Sequence, residues 1–396
     1  MDLNPVILAQ IGGGESWWSW IAWIFFLMIF FMFYPRLMTS QIMWKLERSA
    51  KELERMSDVS KKFIIKEVGP PTKTLRENID RFFEFFLITP VSLDPFGIVG
   101  KLEHIIQDQK GRFDEFANEV LPGADAEKKA CIKMGLAGGI TLHEIAKIVR
   151  HYVEMVRKTK SIQIAMLLQM QLPLIERFAK AVFKGTKTMA KGKPIGDSIG
   201  PLVIATMMGI KPTAKEIEEE ILASKTKMNG RTVYMIKAKG PGGRLGRPGK
   251  AVEKIVNHEK IVRIITVDAA AKLEGEKTGS IAEGVGVAMG GPGVERSFIE
   301  NIAVKKKIPL DSIAIKMSQE EAIMPMRKVL VDSLPKVNES IVRSLKRTGP
   351  DSKVILVGVG NTSGVGNSAK DAKDTISWVE KYEKRLKLEK KKDKES

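Results

Sequence analysis

Residues 17–35, WWSWIAWIFFLMIFFMFYP, carry no charged side chain and almost no polar one. About 20 apolar residues of α-helix cross the hydrocarbon core of a bilayer, so this run has the length of a membrane span. Trp17, Trp18, Trp20 and Trp23 crowd one end and Tyr34 marks the other, where amphipathic rings settle at the membrane–water boundary. A cleaved signal peptide is built differently, with positive charge before its apolar region and small residues after it. Here Asp2 and Glu15 precede the run, and Arg36, Lys45, Arg48 and Lys51 follow it. The positive-inside rule then predicts a single pass with the short N-terminus outside and the rest of the chain cytoplasmic.

Behind such an anchor the formal charge of +18 acquires a partner. Each Lys or Arg near an anionic leaflet contributes about 1 kcal/mol, so the bilayer and its anionic surface are the expected partners. Clustered cations also suit nucleic acid, but the membrane run favours lipid. The single cysteine, Cys131, excludes an intrachain disulfide and a Cys-based zinc site.

The remaining chain divides by pattern. After the N-terminus and span (1–36), residues 37–71 read as an amphipathic juxtamembrane helix, with Met43, Leu46, Leu53 and Met56 at helical spacing and GPP as its stop. Residues 72–190 read as a helical domain. Thr74 and Glu77 have capping-box spacing, a helix restarts after Asp94-Pro95, and further helices cover 124–136, 141–158 and 161–184. The last, SIQIAMLLQMQLPLIERFAKAVF, is apolar nearly all round and is predicted to be the buried centre of the bundle. His143 and His151 stand eight apart with lysine at 147, which misses the four-residue spacing of a zinc-binding helix.

From 191 to 378 the period changes. β-Branched runs at 232–238, 261–270, 311–317 and 353–360 alternate with helical patterns at 199–226, 249–258, 294–304 and 319–346. Such alternation predicts an α/β domain with a mainly parallel sheet flanked by helices, and residues 379–396 form a charged tail.

In an open parallel sheet ligands bind beyond the C-terminal strand ends. Asp268 closes the strand ITVDAA at such an end, and Asp197 sits in KPIGDSIGP, held between two glycines. GPGGRLGRPGK fits neither the Walker A register nor GxGxxG. Its Arg244, Arg247 and Lys250, with Asn361 in GVGNTSGVGN, nevertheless make a candidate phosphate or nucleotide cradle at a helix N-terminus.

These segments together resemble the α/β fold shared by hydrogenase-maturation endopeptidases and the spore germination protease. Val357-Gly358-Val359-Gly360-Asn361 resembles the G-x-G-N end of that group's first strand, GDSIGPLV (196–203) its acidic loop, and VDAA (267–270) its later strand. The G-x-G-N element comes last here, so the resemblance implies a circular permutation. It also implies that Asp197 and Asp268 form a catalytic carboxylate pair acting on a protein or peptide substrate. A divalent metal would need a third ligand, and no histidine follows Asp268. The whole chain also resembles an archaeal family of similar length, with one N-terminal membrane helix and no known activity. Three readings stay open: a membrane-anchored peptidase-like hydrolase, a phosphate-binding regulatory module, and a tethered scaffold.

Overall fold

The computed structural model describes residues 17–90, 97–209, 214–291 and 293–395. The Asp94-Pro95 restart and the acidic residues before the apolar run lie outside them. The chain opens with α1 (Trp17–Val68), α2 (Lys73–Phe83), α3 (Ile98–Val120), α4 (Ala126–Thr159) and α5 (Ile162–Ala190). It forms two compact units. One holds the chain up to Leu53 together with Ala146–Glu176; the other holds Glu54–Ile145 and everything from Arg177 on.

The first unit is a three-helix stem. Ile42, Leu46, Ala50 and Leu53 of α1, Val149, Val153 and Val156 of α4, and Ala165, Leu168 and Leu172 of α5 are buried. Their three- and four-residue spacing puts one stripe of each helix in a shared core. Glu47 takes hydrogen bonds from Arg150 at 2.9 Å and Arg157 at 2.8 Å, tying α1 to α4. N-terminal to this core α1 stays exposed from Trp20 to Met32, and it is long and apolar enough to cross a membrane.

In the second unit the helical part closes around Ile64, Ile79, Phe83, Phe116, Ile132, Leu136 and Ala190. Beyond it come a 3-10 turn (Gly196–Ser198), α6 (Ile199–Met207), β1 (Lys215–Glu218), β2 (Ile221–Met228), β3 (Arg231–Ala238), α7 (Pro248–His258), β4 (Ile261–Ala271) and β5 (Ile281–Val285). Then follow α8 (Val294–Lys306), β6 (Leu310–Met317), α9 (Gln319–Ile323), α10 (Lys328–Val331), α11 (Leu334–Lys346), β7 (Lys353–Gly358) and α12 (Ala369–Glu395). Among the described residues the sheet runs β1-β2-β3-β7-β4-β6-β5. The strands β3, β7, β4 and β6 are parallel, whereas β1, β2 and β5 pair antiparallel at the edges.

Alternate residues of the central strands feed two cores. Val233, Met235, Ile265, Val267 and Leu356 pack with Leu202, Val337 and Ala372 of α6, α11 and α12; Ile236, Ile264, Ile355 and Val357 pack with Val252 and Ile299 of α7 and α8. Burial on both faces explains why these strands read as continuous β-branched runs.

The structure corrects several expectations. The sheet is mixed rather than mainly parallel, because a hairpin and β5 add antiparallel edges. The helix expected over 199–226 ends at Met207, Lys215–Met228 holds the strands β1 and β2, and β2 is closed onto β3 by Asn229-Gly230 at φ 49° and 75°. Positive φ at both positions is what a two-residue hairpin turn requires. The juxtamembrane helix is continuous with the apolar run, and the two helices expected over 124–136 and 141–158 are one, α4. The cap of α2 is Thr72, whose Oγ1 accepts from Leu75 N at 3.2 Å, not Thr74. Residues 319–346 break into three helices. The charged tail is helical, and Glu383 in it accepts two 2.8 Å hydrogen bonds from Arg327. Lastly, α5 is not buried all round: Met166, Leu167, Met170 and Leu174 are exposed.

Candidate functional site

Asp197 stands in a turn pinned from three sides. Gly196 N donates to Met324 O at 3.0 Å and Met326 N donates to Pro194 O at 2.9 Å, fastening the turn to the segment after α9. Ser198 Oγ donates to Ser363 O at 3.0 Å, and Ser363 Oγ donates to Lys193 O at 2.8 Å, fastening it to the loop after β7. The two glycines around Asp197 have one reason, close approach. A Cβ on Gly196 would lie 2.1 Å from Glu321 O, and one on Gly200 would lie 2.1 Å from Val359 O and 2.7 Å from Val267 O. The start of α6 thus lies directly on the ends of β7 and β4, with Asp197 at the cleft beyond those ends. Its Oδ2 accepts from Asn361 N at 2.7 Å.

Asp268 arrives at the same cleft from the sheet. It lies near the C-terminal end of β4, opposite Ala314 of β6, and is 4% exposed. Ala269 N donates to its Oδ1 at 2.7 Å and Gly290 N to its Oδ2 at 3.1 Å. The glycine-rich loop after β5 therefore folds over the strand end, and Thr266 helps hold it by accepting from Ala288 N at 3.1 Å.

Both aspartates line a cavity of about 410 Å³. Its floor is Gly358, Val359 and Gly360 at the end of β7; its walls are Arg247, Glu295 and the Gly290–Gly291 loop; Glu103, Ile106 and Gln107 of α3 close one side. The last three share a helix face by their spacing. Burial pushes the Asp197 carboxyl up, against the Asn361 amide. Burial, then the charge of Asp197, pushes Asp268 well above the ordinary carboxylate range, against the amides of Gly290 and Ala269. An ionised Asp197 thus makes Asp268 costlier to ionise, which disfavours both acids carrying charge at once.

The basic turn is arranged otherwise. Arg247 lines the cavity, but it hydrogen-bonds Glu103 and lies 3.6 Å from Glu295. Lys250 lies 2.6 Å from Glu103. Arg244 is 7% exposed, away from the cavity lining, with Nη1 2.8 Å from Glu127 and Nε 3.3 Å from Glu220. The N-terminus of α7 is occupied too, since Gly249 N donates to Glu295 Oε2 at 2.7 Å. Asn361 meets the site through its backbone; its side chain accepts from Ser363 N at 2.8 Å and faces Met134. Asp197, Asp268 and Arg247 thus come together, while Arg244, Lys250 and the Asn361 side chain do not join them.

Sequence reading missed Glu103 and Glu295. Hydrogen bonds from Lys250 and Arg247 hold Glu103 below the usual carboxylate range, while burial raises Glu295. An acid in the first turn after a glycine run is a usable signal for Glu295. Glu103 has none, lying 144 residues from Arg247 in the chain. Among the described residues no three His, Cys, Asp or Glu side chains gather as a metal-ligand cluster. His143 is held by Glu84 at 2.9 Å and Ser57 at 3.2 Å.

Residues 20–192 match the N-terminal domain described as protein of unknown function DUF1512, and residues 195–366 match its C-terminal domain of unknown function. No curated protein and no solved structure matches the chain, so the endopeptidase resemblance gains no support from these comparisons. The two matches follow each other in order and between them account for most of the sequence: the chain belongs to the DUF1512 family.

Proposed function

We propose that this is a membrane-anchored hydrolase whose reaction centre is the Asp197–Asp268 pair, with the N-terminus of α1 outside and both folded units cytoplasmic. One observation carries the reading: two acids from separate elements meet in one cavity at the C-terminal strand ends, and among the described residues no cationic side chain hydrogen-bonds either of them. Sharing one proton, the pair provides a base and an acid together. One carboxylate takes a proton from water as its oxygen attacks an amide carbonyl, and the other gives a proton to the departing nitrogen. Water is consumed, a carboxylic acid and an amine leave, and the pair returns to its single-proton state. The cavity volume suits one end of a peptide or a small amide rather than a folded protein.

The test is the full chain in detergent against an amide and peptide library, beside Asp197→Asn and Asp268→Asn. Cleavage by the wild type that falls at least about a hundredfold in each variant is expected, as for loss of a general acid or base. A wild type that cleaves nothing, or variants that cleave equally well, would end the hydrolase reading. The phosphate-binding alternative has less behind it, because Arg247 and Lys250 are already engaged by Glu103 and Glu295.

A further inference from the structure

The C-terminal half of α5 is buried on all sides but one. Ala179, Ala181, Val182, Thr186, Met189 and Ala190 are buried. The strip left towards water holds Lys180, Lys184, Lys187 and Lys191, which fall within about 60° of one another around the helix axis. Residues 177–196 hold no acidic side chain. An ordinary solvated strip mixes the two signs at three- and four-residue spacing.

The end of α1 brings further charge to the same place. Lys187 Nζ lies 5.9 Å and Lys191 Nζ 5.4 Å from the centre of the Phe63 ring, and Phe183 lies 3.9 Å under Lys187. Lys62 and Lys66, exposed beside Phe63 on α1, extend the patch. The acids around it are spent on other cations: Asp80 on Lys61 at 2.9 Å, Glu67 on Lys128 at 3.6 Å, and Glu320 on Arg177 at 2.6 Å. Asp58, one turn before Lys62, offsets one charge at the edge. Among the described residues no carboxylate pairs with Lys62, Lys66 or the four lysines of the strip. Holding like charges together is costly, and Lys187 registers it: burial, then the charge of Lys191, pushes its pKa down. The dipole of α5 favours cations at its last turn, which accounts for Lys187 and Lys191 but not for the other four.

We propose that this patch binds the phosphate backbone of a nucleic acid, a role separate from the aspartate cavity. The strip on α5 is about 16 Å long, room for about five phosphates of one duplex strand at roughly 3.4 Å each. Lysines act as point charges, so the contact reads the backbone rather than base edges. Lipid fits less well. Lysines that grip the leaflet of their own anchor follow the span directly, and interfacial helices bring apolar side chains to insert. Lys62 comes 28 residues after Tyr34, and no large hydrophobic side chain is exposed at 54–69 or 177–194 among the described residues.

The test is fluorescence anisotropy of the full chain in phosphatidylcholine nanodiscs, against a labelled RNA strand and a labelled DNA duplex, from about 50 to 200 mM salt. Expected is binding that weakens about 10²–10³-fold over that range, as for roughly six phosphate contacts, and the tighter of the two ligands names the source. Lys62→Gln with Lys66→Gln, and Lys180→Gln with Lys184→Gln, should each lower the slope of log affinity against log salt by about 2, for every sequence alike. All four side chains are exposed, so the fold is not at stake. Lys305→Gln with Lys306→Gln removes the same charge from the exposed end of α8 and should leave that slope unchanged. No binding by the wild type at the lowest salt, or an equal loss in the α8 variant, overturns the proposal. Phosphatidylglycerol vesicles or polyglutamate that displace the label as well as unlabelled nucleic acid does, charge for charge, assign the patch to lipid or to acidic protein and overturn it too. Neither patch variant alters Asp197 or Asp268, so this result and that of the hydrolase test are read separately.

Discussion

Lys237 is the most exacting test of how this domain is held together. It lies in β3 with none of its surface exposed. Its Nζ donates to Ala238 O at 2.7 Å and Asn367 Oδ1 at 3.0 Å, both neutral acceptors. Burial pushes its pKa down to about 7, against the more distant pull of Asp371 and Glu127. In the unfolded chain a lysine titrates near 10.4, so the unfolded state binds a proton that the folded state lacks throughout the interval between. Stability is therefore complete above the unfolded pKa and falls by about 1.4 kcal/mol per unit as pH drops towards 7, below which the deficit is constant. Across the whole interval the loss is about 4–5 kcal/mol.

Lys237→Met removes that deficit and forfeits two hydrogen bonds at about 1 kcal/mol each. Asn367 Oδ1 keeps a donor, Gly240 N at 2.9 Å. The variant should thus be more stable than the wild type by about 2–3 kcal/mol at pH 6 and no more stable at pH 10. Chaotrope unfolding of the full chain in detergent, at intervals from pH 6 to 10, reads the difference directly. Because all other titrating groups are common to both proteins, a difference that stays constant across this range would refute the buried-charge argument.

Asp268 titrates in the opposite sense. Its folded pKa is raised, so the wild type is favoured at low pH and loses about 1.4 kcal/mol for each unit climbed between the ordinary carboxylate range and its folded pKa. Asp268→Asn should flatten that slope in melting curves taken from pH 3 upwards, whatever it does to activity. Gly200→Ala places a methyl against the Val359 and Val267 carbonyls, and should cost about 1–3 kcal/mol in the same unfolding assay as α6 is pushed off the sheet. Glu103→Gln removes the carboxylate that Arg247 and Lys250 share. Inorganic phosphate should then raise the melting temperature of the variant while leaving the wild type unchanged.

What the sequence reveals here depends on whether the decisive contacts are local. The strands β3, β4, β6 and β7 are readable because burial in the middle of the sheet filled them with β-branched residues. The edge hairpin is not, because KEIEEEILASKTKM puts charged side chains towards water on strands that need only half their residues apolar, and that composition also suits a helix. Asn229-Gly230 is the missed cue. The two aspartates declare themselves through their flanks: glycines around Asp197 that let α6 touch the sheet, and a β-branched run that delivers Asp268 to the rim. The arginines mislead for the same reason. Arg244, Arg247 and Lys250 form a convincing anion cradle as a peptide, yet the carboxylates that neutralise them include Glu103 and Glu127 from distant helices. A glycine-rich turn fixes where its cations stand, but the charge of the finished cleft is a through-space sum, and here the helical region contributes as much to it as the motif does.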